Sequence, residues 1–403
     1  MPRVRVTALR RESLAGGSVS AFPRLTFPFF LSAHVLKTVF LISLESITGS
    51  DRVITDLRNR LADRGWTAEV LQPMKLVAES PWLRRTGLAA LLLRAPGKRL
   101  LAMAWVEWLL LRRAQRERNQ FTVFSAVYPL WGPGIWWGRA SGRLRYLYWI
   151  PDMMWRKAYV EDHRWRLFKR AARSGVAAAD LILVPTASAH LDCLTFVPRK
   201  HHGKIRRLSS PIDEAFWNRL VAEPVPALAA RRFIFHPAGL KPNKNTSRAL
   251  DALAIADLPG ATFVYIANAV NSGGQGGGAM PGEFAPPGGA QICAIASPSD
   301  GQMKWLYQHC AFVSVVSLEE GVGLPILEAQ AFGKAVVTSC ISAMPEVSGG
   351  RAVFVDPFRP TDIARGYREA WSAADGDRPL PRPPSRDLYG ADLGREIDEV
   401  FRE

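Results

Sequence analysis

Ser317-Leu318-Glu319-Glu320-Gly321-Val322-Gly323-Leu324-Pro325-Ile326-Leu327-Glu328 is the stretch on which the reading of this chain turns. It follows Phe312-Val313-Ser314-Val315-Val316, an apolar, β-branched run with the pattern of a buried parallel strand. Pro325 suits the first turn of a helix, where its missing N–H removes no hydrogen bond. Gly333 suits the residue after the last turn, so the spacing predicts a helix over about Leu324 to Phe332. Gly321 and Gly323 let the backbone approach a ligand closely and take dihedrals closed to other residues. Strand, glycine turn and helix in that order aim the free N–H groups of the helix at an anion such as a diphosphate. Glu320 and Glu328 bracket the turn. A carboxylate repels phosphate but accepts strongly from hydroxyl donors, so the pair fits sugar and ribose hydroxyls. Either glutamate alone would read as a surface or helix-dipole acid; the constellation reads differently.

Working outward, the C-terminal half repeats the strand pattern. Phe233-Ile234-Phe235, Thr262 to Ile266, Ile292 to Ile295 and Ala335-Val336-Val337 read as strands with helical stretches between several of them, as in a parallel α/β sheet. Asn271 to Ala290, rich in Gly and Pro, reads as a long loop. Residues 211–230, with Pro211, Pro224 and Pro226, read as an inter-domain linker. The N-terminal half opens with a strand in Val35 to Ile42 and a turn around Thr48-Gly49-Ser50. A helix then places Val53, Leu57 and Leu61 on one face and ends at Gly65, the start of a Rossmann-like unit. Leu181 to Pro185 reads as another buried strand. Residues 80–120 read as helical, with Leu and Trp bordered by arginines. That composition fits an interfacial helix as well as a core helix with a solvated basic face. Between Trp131 and Trp165 tryptophan is dense, which suits cores, sugar stacking and membrane interfaces alike.

A chain of 403 residues with 48% hydrophobic residues can bury two cores, so two domains are expected and disorder is not. The charge is divided unevenly. Residues 1–210 hold 35 Lys and Arg against 14 Asp and Glu, while residues 211–403 hold 17 against 22. A polyanionic partner for the first half follows, if the bias is more than a basic composition. The basic residues track apolar helices rather than a nucleic-acid motif, which favours an anionic membrane surface over nucleic acid. Cys193, Cys293, Cys310 and Cys340 are scattered, as in a reduced cytosolic protein, and no His, Cys and Asp spacing suggests a metal. The basic start lacks a proper apolar core for a secretory signal. The run Leu100 to Leu111 is too short to span a bilayer and is broken by Glu107.

The stretch from Glu320 to Glu328 and the following Ala329 resembles the signature of the retaining glycosyltransferase family four, among the group 1 glycosyltransferases. The resemblance runs on through Gly333 to Ser339, Met344-Pro345-Glu346-Val347, Val355-Asp356-Pro357 and Asp362-Ile363-Ala364, so it covers most of residues 303–370 in order. Upstream, Phe233 to Asn245 resembles the strand and loop that lead to the family's Lys-Asn pair, here Lys244-Asn245. Asn243 and Ala238 stand where the family often has an Arg. The N-terminal half is similar more weakly: Phe40 to Ser46 with Gly49-Ser50, and Trp149-Ile150-Pro151-Asp152, after which Met153-Met154-Trp155 replaces a Phe-Gln-His. Asp213 and Phe216 match the family's linker Asp and Phe.

The resemblance implies an α/β protein of the GT-B type, two Rossmann-like domains facing across a cleft. The implied divisions are a basic extension over 1–34, an acceptor-side domain over 35–215, a sugar-nucleotide domain over 216–385 and a C-terminal helix over 386–403. It assigns catalysis to Glu320 and Lys244. Donor binding falls to Gly321, Val322, Gly323, Leu324, Glu328 and Asn243, and the acceptor side to Gly49, Ser50 and Asp152. No metal and no cofactor are implied beyond a nucleoside-diphosphate sugar as co-substrate. The expected acceptor is a glycan or a lipid-linked glycan in polysaccharide, lipopolysaccharide or glycolipid synthesis. The protein is expected in the cytoplasm, peripherally on the inner face of the membrane. Two alternatives stay open at this point: a sugar-nucleotide epimerase or phosphorylase on the same fold, and a GT-B scaffold that binds without catalysis.

Overall fold

Strand β1 (Thr38–Ile42) turns Val39 and Leu41 to one side and Phe40 and Ile42 to the other, and all four are buried. A strand apolar on both faces requires cover on both sides, the condition of a parallel sheet between helical layers. The computed structural model describes residues 38–43, 49–94, 98–116, 120–130, 132–153, 164–210, 212, 214–267, 290–374 and 389–402, and it shows that arrangement twice.

The first sheet joins β1 to β2 (Thr67–Leu71), β3 (Phe121–Ala126), β4 (Leu144–Trp149), β5 (Leu181–Val184) and β6 (Ile205–Arg207). The order is β2-β1-β3-β4-β5-β6 and every pairing is parallel. Its helices are α1 (Gly49–Ala62), α2 (Pro73–Glu79), α3 (Pro81–Arg85), α4 (Leu88–Arg94), α5 (Lys98–Arg116), α6 (Pro133–Ala140), α7 (Arg164–Ala178) and α8 (Ala187–Phe196). Phe40, Tyr146 and Tyr148 pack with Met103, Val106 and Leu110 of α5 on one face. Leu41, Phe124 and Leu147 pack with Ile54, Leu57 and Leu61 of α1 on the other.

The segment between the sheets is more regular than its prolines suggest. Residues 214–219 form helix α9 (Glu214–Arg219), and Pro226–Leu228 form a 3-10 turn. Trp217, Val225 and Leu228 are buried in the second core, so burial of three apolar side chains orders a stretch that local signals mark as irregular. The second sheet comprises β7 (Phe233–His236), β8 (Thr262–Ala267), β9 (Gln291–Ala296), β10 (Phe312–Val315), β11 (Ala335–Ser339) and β12 (Val353–Val355), in the all-parallel order β12-β11-β10-β7-β8-β9. Helices α10 (Thr246–Ala256), α11 (Asp300–His309), α12 (Leu324–Ala331), α13 (Met344–Ser348) and α14 (Pro360–Ala373) cover it, and α15 (Leu393–Arg402) ends the chain. Ser299 and Gln302 start α11 with a reciprocal capping box. The expected loop from Asn271 lies outside the described residues as far as 289.

One feature differs from the sequence reading and a second adds to it. Gly49 and Ser50 do not make a turn; they are the first residues of α1, and residues 44–48 before them lie outside the described residues. The C-terminal helix returns to the first domain. Leu393, Ile397, Val400 and Phe401 of α15 are buried against the β1 and β3 face of the first sheet. Glu396 of α15 accepts from the Ser209 N–H at 2.7 Å and its hydroxyl at 3.0 Å. Tyr389, just before α15, accepts from the Ser210 N–H at 3.0 Å and donates to the Pro185 carbonyl at 3.0 Å.

In each sheet the strand order reverses at one place, between β1 and β3 in the first and between β7 and β10 in the second. Open parallel sheets bind ligands outside the carboxyl ends of the strands at such a switch point. The segments singled out by sequence leave from the second one.

Candidate active site

Two loops meet at the carboxyl ends of β7 and β10. The first runs from His236 to α10, and the second from Val315 to α12. Asn245 fastens them. It sits in the left-handed region at φ 58°, and its Nδ2 donates to the Val316 carbonyl at 3.0 Å and the Pro357 carbonyl at 2.7 Å. Asn243 adds a second fastening, donating to the Glu319 carbonyl at 3.4 Å and accepting from the Leu318 N–H at 2.8 Å. The buried Asn243 thus links the two loops through its side-chain amide, which donates to Glu319, and its main-chain carbonyl, which accepts from Leu318.

These fastenings bring Lys244 and Glu320 together. Lys244 Nζ lies 2.6 Å from Glu320 Oε1, and both side chains are partly buried. Ser317 donates its hydroxyl to the same carboxylate oxygen at 2.7 Å. Ser342, at φ 59°, locks the glutamate's main chain: it accepts from the Glu320 N–H at 3.2 Å and donates to the Glu320 carbonyl at 3.0 Å. An ammonium carries three N–H donors, so the ion pair leaves Lys244 donors for an anionic ligand.

Gly323 caps α12 at φ 81°, a conformation that excludes side chains with a Cβ at a cost of about 1–2 kcal/mol. Gly333 follows the helix at φ 69°, as its C-terminal position predicts. Val322 is buried in the second core, so only its backbone faces the turn. Gly321 meets a further steric demand from the first domain. A Cβ there would collide with the Pro151 carbonyl oxygen and lie 3.0 Å from Asp152 Cβ. The close approach is made by the first domain, after β4. Thr186 of the first domain donates to the Gly321 carbonyl at 3.0 Å. Glu346 of α13 accepts from the Ala187 N–H at 2.8 Å and pairs with Arg207 at 3.1 Å. The glycine turn of the second domain is therefore seated on the first, and Asp152 is brought beside it.

Glu328 is buried on α12 and accepts from the Tyr307 hydroxyl at 2.5 Å. Tyr307 is fixed in turn by Phe332, stacked at 5.6 Å, and Trp217, edge-on at 5.8 Å. His236, fully buried, lies 2.9 Å from the Ser314 carbonyl through Nδ1 and 3.2 Å from Thr246 Oγ1 through Nε2. Burial, with a smaller contribution from Lys244, lowers its pKa to about 4, so it braces the two strands as a neutral ring.

In the first domain, Gly49 and Ser50 open α1 beyond the carboxyl end of β1, at the first sheet's switch point. Val127, at the end of β3, has φ 67°, a strained conformation for a β-branched residue of the kind that gathers at ligand sites. Its N–H donates to the Trp149 carbonyl at 3.0 Å, and its carbonyl accepts from the Tyr148 hydroxyl at 3.1 Å. Val127, Tyr307 and Ser342 were not marked by sequence; each lies outside the Ser317 to Glu328 stretch, and no local spacing signals their contacts. Ser317 opens that stretch, but its hydrogen bond to Glu320 was not anticipated. Among the described residues no group of three or more His, Cys, Asp and Glu side chains is placed to hold a metal ion.

Residues 295–372 match the family of glycosyl transferases group 1. That match holds β10, the Glu320 to Gly323 turn, α12 and Glu346. Over 223 residues the chain is 26% identical to the serotype-specific mannosyltransferase WbdA of Escherichia coli, covering 53% of this chain and 27% of the relative. The chain thus spans about a quarter of that protein's length. Among solved structures, it is similar to Anabaena Alr3699/HepE in complex with UDP and glucose, at 13% identity and a TM-score of 0.57 over 91% of this chain and 99% of that one. It is also similar to sucrose-phosphate synthase from Thermosynechococcus elongatus, at 14% identity and a TM-score of 0.60 over 91% and 96%. The two parallel six-stranded sheets and these likenesses give the chain the GT-B fold.

Proposed function

We propose that this protein is a retaining, metal-independent glycosyltransferase that moves a sugar from a nucleoside-diphosphate donor to a glycan or lipid-linked acceptor. The observation that carries the reading is the meeting of Lys244, Glu320 and the Gly321–Gly323 turn at the switch point of the second sheet, directly against Pro151 and Asp152 of the first domain. The family match of residues 295–372 supports it, as does the UDP and glucose held by a structure of the same fold.

In this reading Lys244 and the N-terminal amides of α12 stabilise the leaving diphosphate as its charge develops. Glu320, held by Ser317, Ser342 and Lys244, accepts from hydroxyls of the transferred sugar. Glu328, oriented by Tyr307, accepts from the ribose. The acceptor enters along the first domain past Asp152, Gly49 and Ser50. The bond from the anomeric carbon to the diphosphate oxygen breaks, and the acceptor oxygen bonds to the same face of that carbon. The released phosphate takes the acceptor proton, so no protein nucleophile is needed. Reaction with a sugar nucleotide places the protein on the cytoplasmic side of a membrane, in polysaccharide, lipopolysaccharide or glycolipid synthesis.

The test is thermal stability against UDP-, GDP-, dTDP- and ADP-linked glucose and mannose, followed by turnover with the nucleotide that shifts it. A ligand that binds only the folded state at about 100 times its Kd adds about 2.7 kcal/mol. Glu320→Gln and Lys244→Ala are expected to lower turnover by about 10²- to 10³-fold, the usual effect of removing one preorganised charge-stabilising group. Full turnover in both variants overturns the assignment. Release of nucleotide without a glycosylated acceptor overturns transfer in favour of donor-only chemistry.

A further inference from the structure

Helix α5 is apolar on two sides; one is buried, and the other is only partly covered, through Trp105 packed against the Val77, Leu83 and Ala89 cluster. Ala102, Met103, Val106 and Leu110 are buried inward. Leu101, Trp105, Trp108 and Arg112, spaced by four, three and four residues, form a second stripe on another side of the helix. Leu101 is 41% exposed. Trp82 of α3, also 41% exposed, stacks on Trp105 at 6.1 Å with the rings 5° from parallel. Trp105 stacks on Trp108 at 4.8 Å, and the Arg112 guanidinium lies 5.1 Å from the Trp108 ring. Three indoles and a cation thus make a ladder on the surface of the first domain. On α4, which packs against both α3 and α5, Leu91 is 65% exposed and Leu88 is exposed as well.

The charges around this patch have one sign. Residues 80–116 hold eight Lys and Arg and a single acid, Glu107. Glu107 is buried, turned towards Gly132 at the start of α6. Arg84, Arg85, Arg94, Lys98, Arg112 and Arg116 are exposed. The nearest preceding acid, Glu79 of α2, lies 4.0 Å from Lys75. Exposed leucines ask for hydrocarbon, indoles for the zone between hydrocarbon and water, and a ring of arginines for phosphate. Among the described residues no helix is long and apolar enough to cross a membrane.

We infer that the surface formed by α3, α4 and the outer stripe of α5 docks on a bilayer leaflet rich in anionic phospholipid, with Trp82, Leu88, Leu91 and Leu101 entering the headgroup region and the arginines pairing with lipid phosphates. The patch stands apart from the Lys244–Glu320 site, so docking can be tested whether or not sugar transfer is established. An acidic protein partner would pair the arginines but leave Leu91 and Leu101 without a reason to be outside.

The experiment is sedimentation of the full chain with vesicles of phosphatidylcholine, and of phosphatidylcholine with phosphatidylglycerol in a roughly three to one ratio. The wild-type protein is expected to sediment with the anionic vesicles, weakly with neutral ones, and less as salt is raised. Trp82→Ser, Leu91→Ser and Leu101→Ser combined are expected to lower partitioning at least about tenfold, because binding scales with the apolar area inserted. Arg84→Glu with Arg94→Glu is expected to abolish the preference for anionic vesicles, and Arg84→Lys with Arg94→Lys to keep it. All these side chains are exposed, so circular dichroism melting should be unchanged and serves as the folding control. Equal sedimentation with and without phosphatidylglycerol overturns the inference. So does wild-type binding by the triple serine variant, or a change in that variant from dimer to monomer in light scattering, which would make a second copy the occupant.

Discussion

Glu328 shows how a single residue is oriented by another far from it in the sequence. Its carboxylate lies in the second core, where an ionised group requires donors. The Tyr307 hydroxyl supplies one at 2.5 Å. Tyr307→Phe keeps the ring between Trp217 and Phe332 and removes only that donor. The change is expected to cost about 1.5–3 kcal/mol in denaturant unfolding, the usual worth of one hydrogen bond to a charged group. In the proposed reaction the KM for the sugar nucleotide rises while kcat is nearly kept, because the hydroxyl orients a binding group and touches no reacting atom. A fall in kcat alone would remove Tyr307 from that role. At this scale the sequence was legible where the pattern is local. Glu320, Gly321, Gly323 and Glu328 lie within nine residues, and their spacing marked the strand, turn and helix found there. Tyr307 lies two elements upstream of Glu328, and only packing brings it back.

The β7 and β10 strands are joined through His236 as well as through their ladder. Its ring is fully buried, and burial holds the folded-state pKa at about 4 against an ordinary 6.5. The unfolded chain therefore binds a proton over a range of pH in which the folded chain does not. Stability contributed by the neutral ring is fully present above about 6.5 and is lost as pH falls towards about 4, an effect of order 3 kcal/mol at about 1.4 kcal/mol per unit. His236→Gln should flatten this part of the stability profile measured by urea unfolding from pH 7 to pH 4. An unchanged slope in the variant would assign the acid sensitivity to other groups. Elements were the most legible level of this chain. Strands β7 to β11 of the second sheet fall within a residue or two of their apolar runs, while the short, partly exposed β12 was not read as a strand. The helix at Glu214–Arg219 was not legible, because six residues between prolines carry too little periodicity. Its helix rests on Trp217 entering a core formed by residues far along the chain. Gly49-Ser50 misled for the opposite reason, since a glycine at the first turn of a helix resembles a glycine before it.

At the scale of the molecule, the chain crosses between the two sheets twice, once after β6 and once before α15. The last helix completes the core of the first domain, and its Phe401 packs on Phe124 and Trp66 at 6.4 and 5.9 Å. Phe401→Ala is expected to destabilise the protein by about 3 kcal/mol through the cavity it leaves. The loss should fall on the first domain. Hydrogen exchange should quicken in β1 and β3 and stay unchanged in β7 and β10. Uniform quickening in both sheets would show that the two cores unfold as one unit. The sequence revealed that a helix ends the chain but not where it goes, because amphipathic spacing marks a face to be buried without saying against what.

The return of α15 bears on how such proteins can exchange parts. A gene fusion that joins the first half of one relative to the second half of another, cut once near residue 210, would graft a foreign α15 into the core of the first domain. Leu393, Ile397, Val400 and Phe401 would then meet a surface they were not selected to fill. Viable chimeras need two junctions, with the tail inherited from the same parent as the head. Recombination in this architecture should therefore favour swaps of the middle of the gene over swaps of its ends.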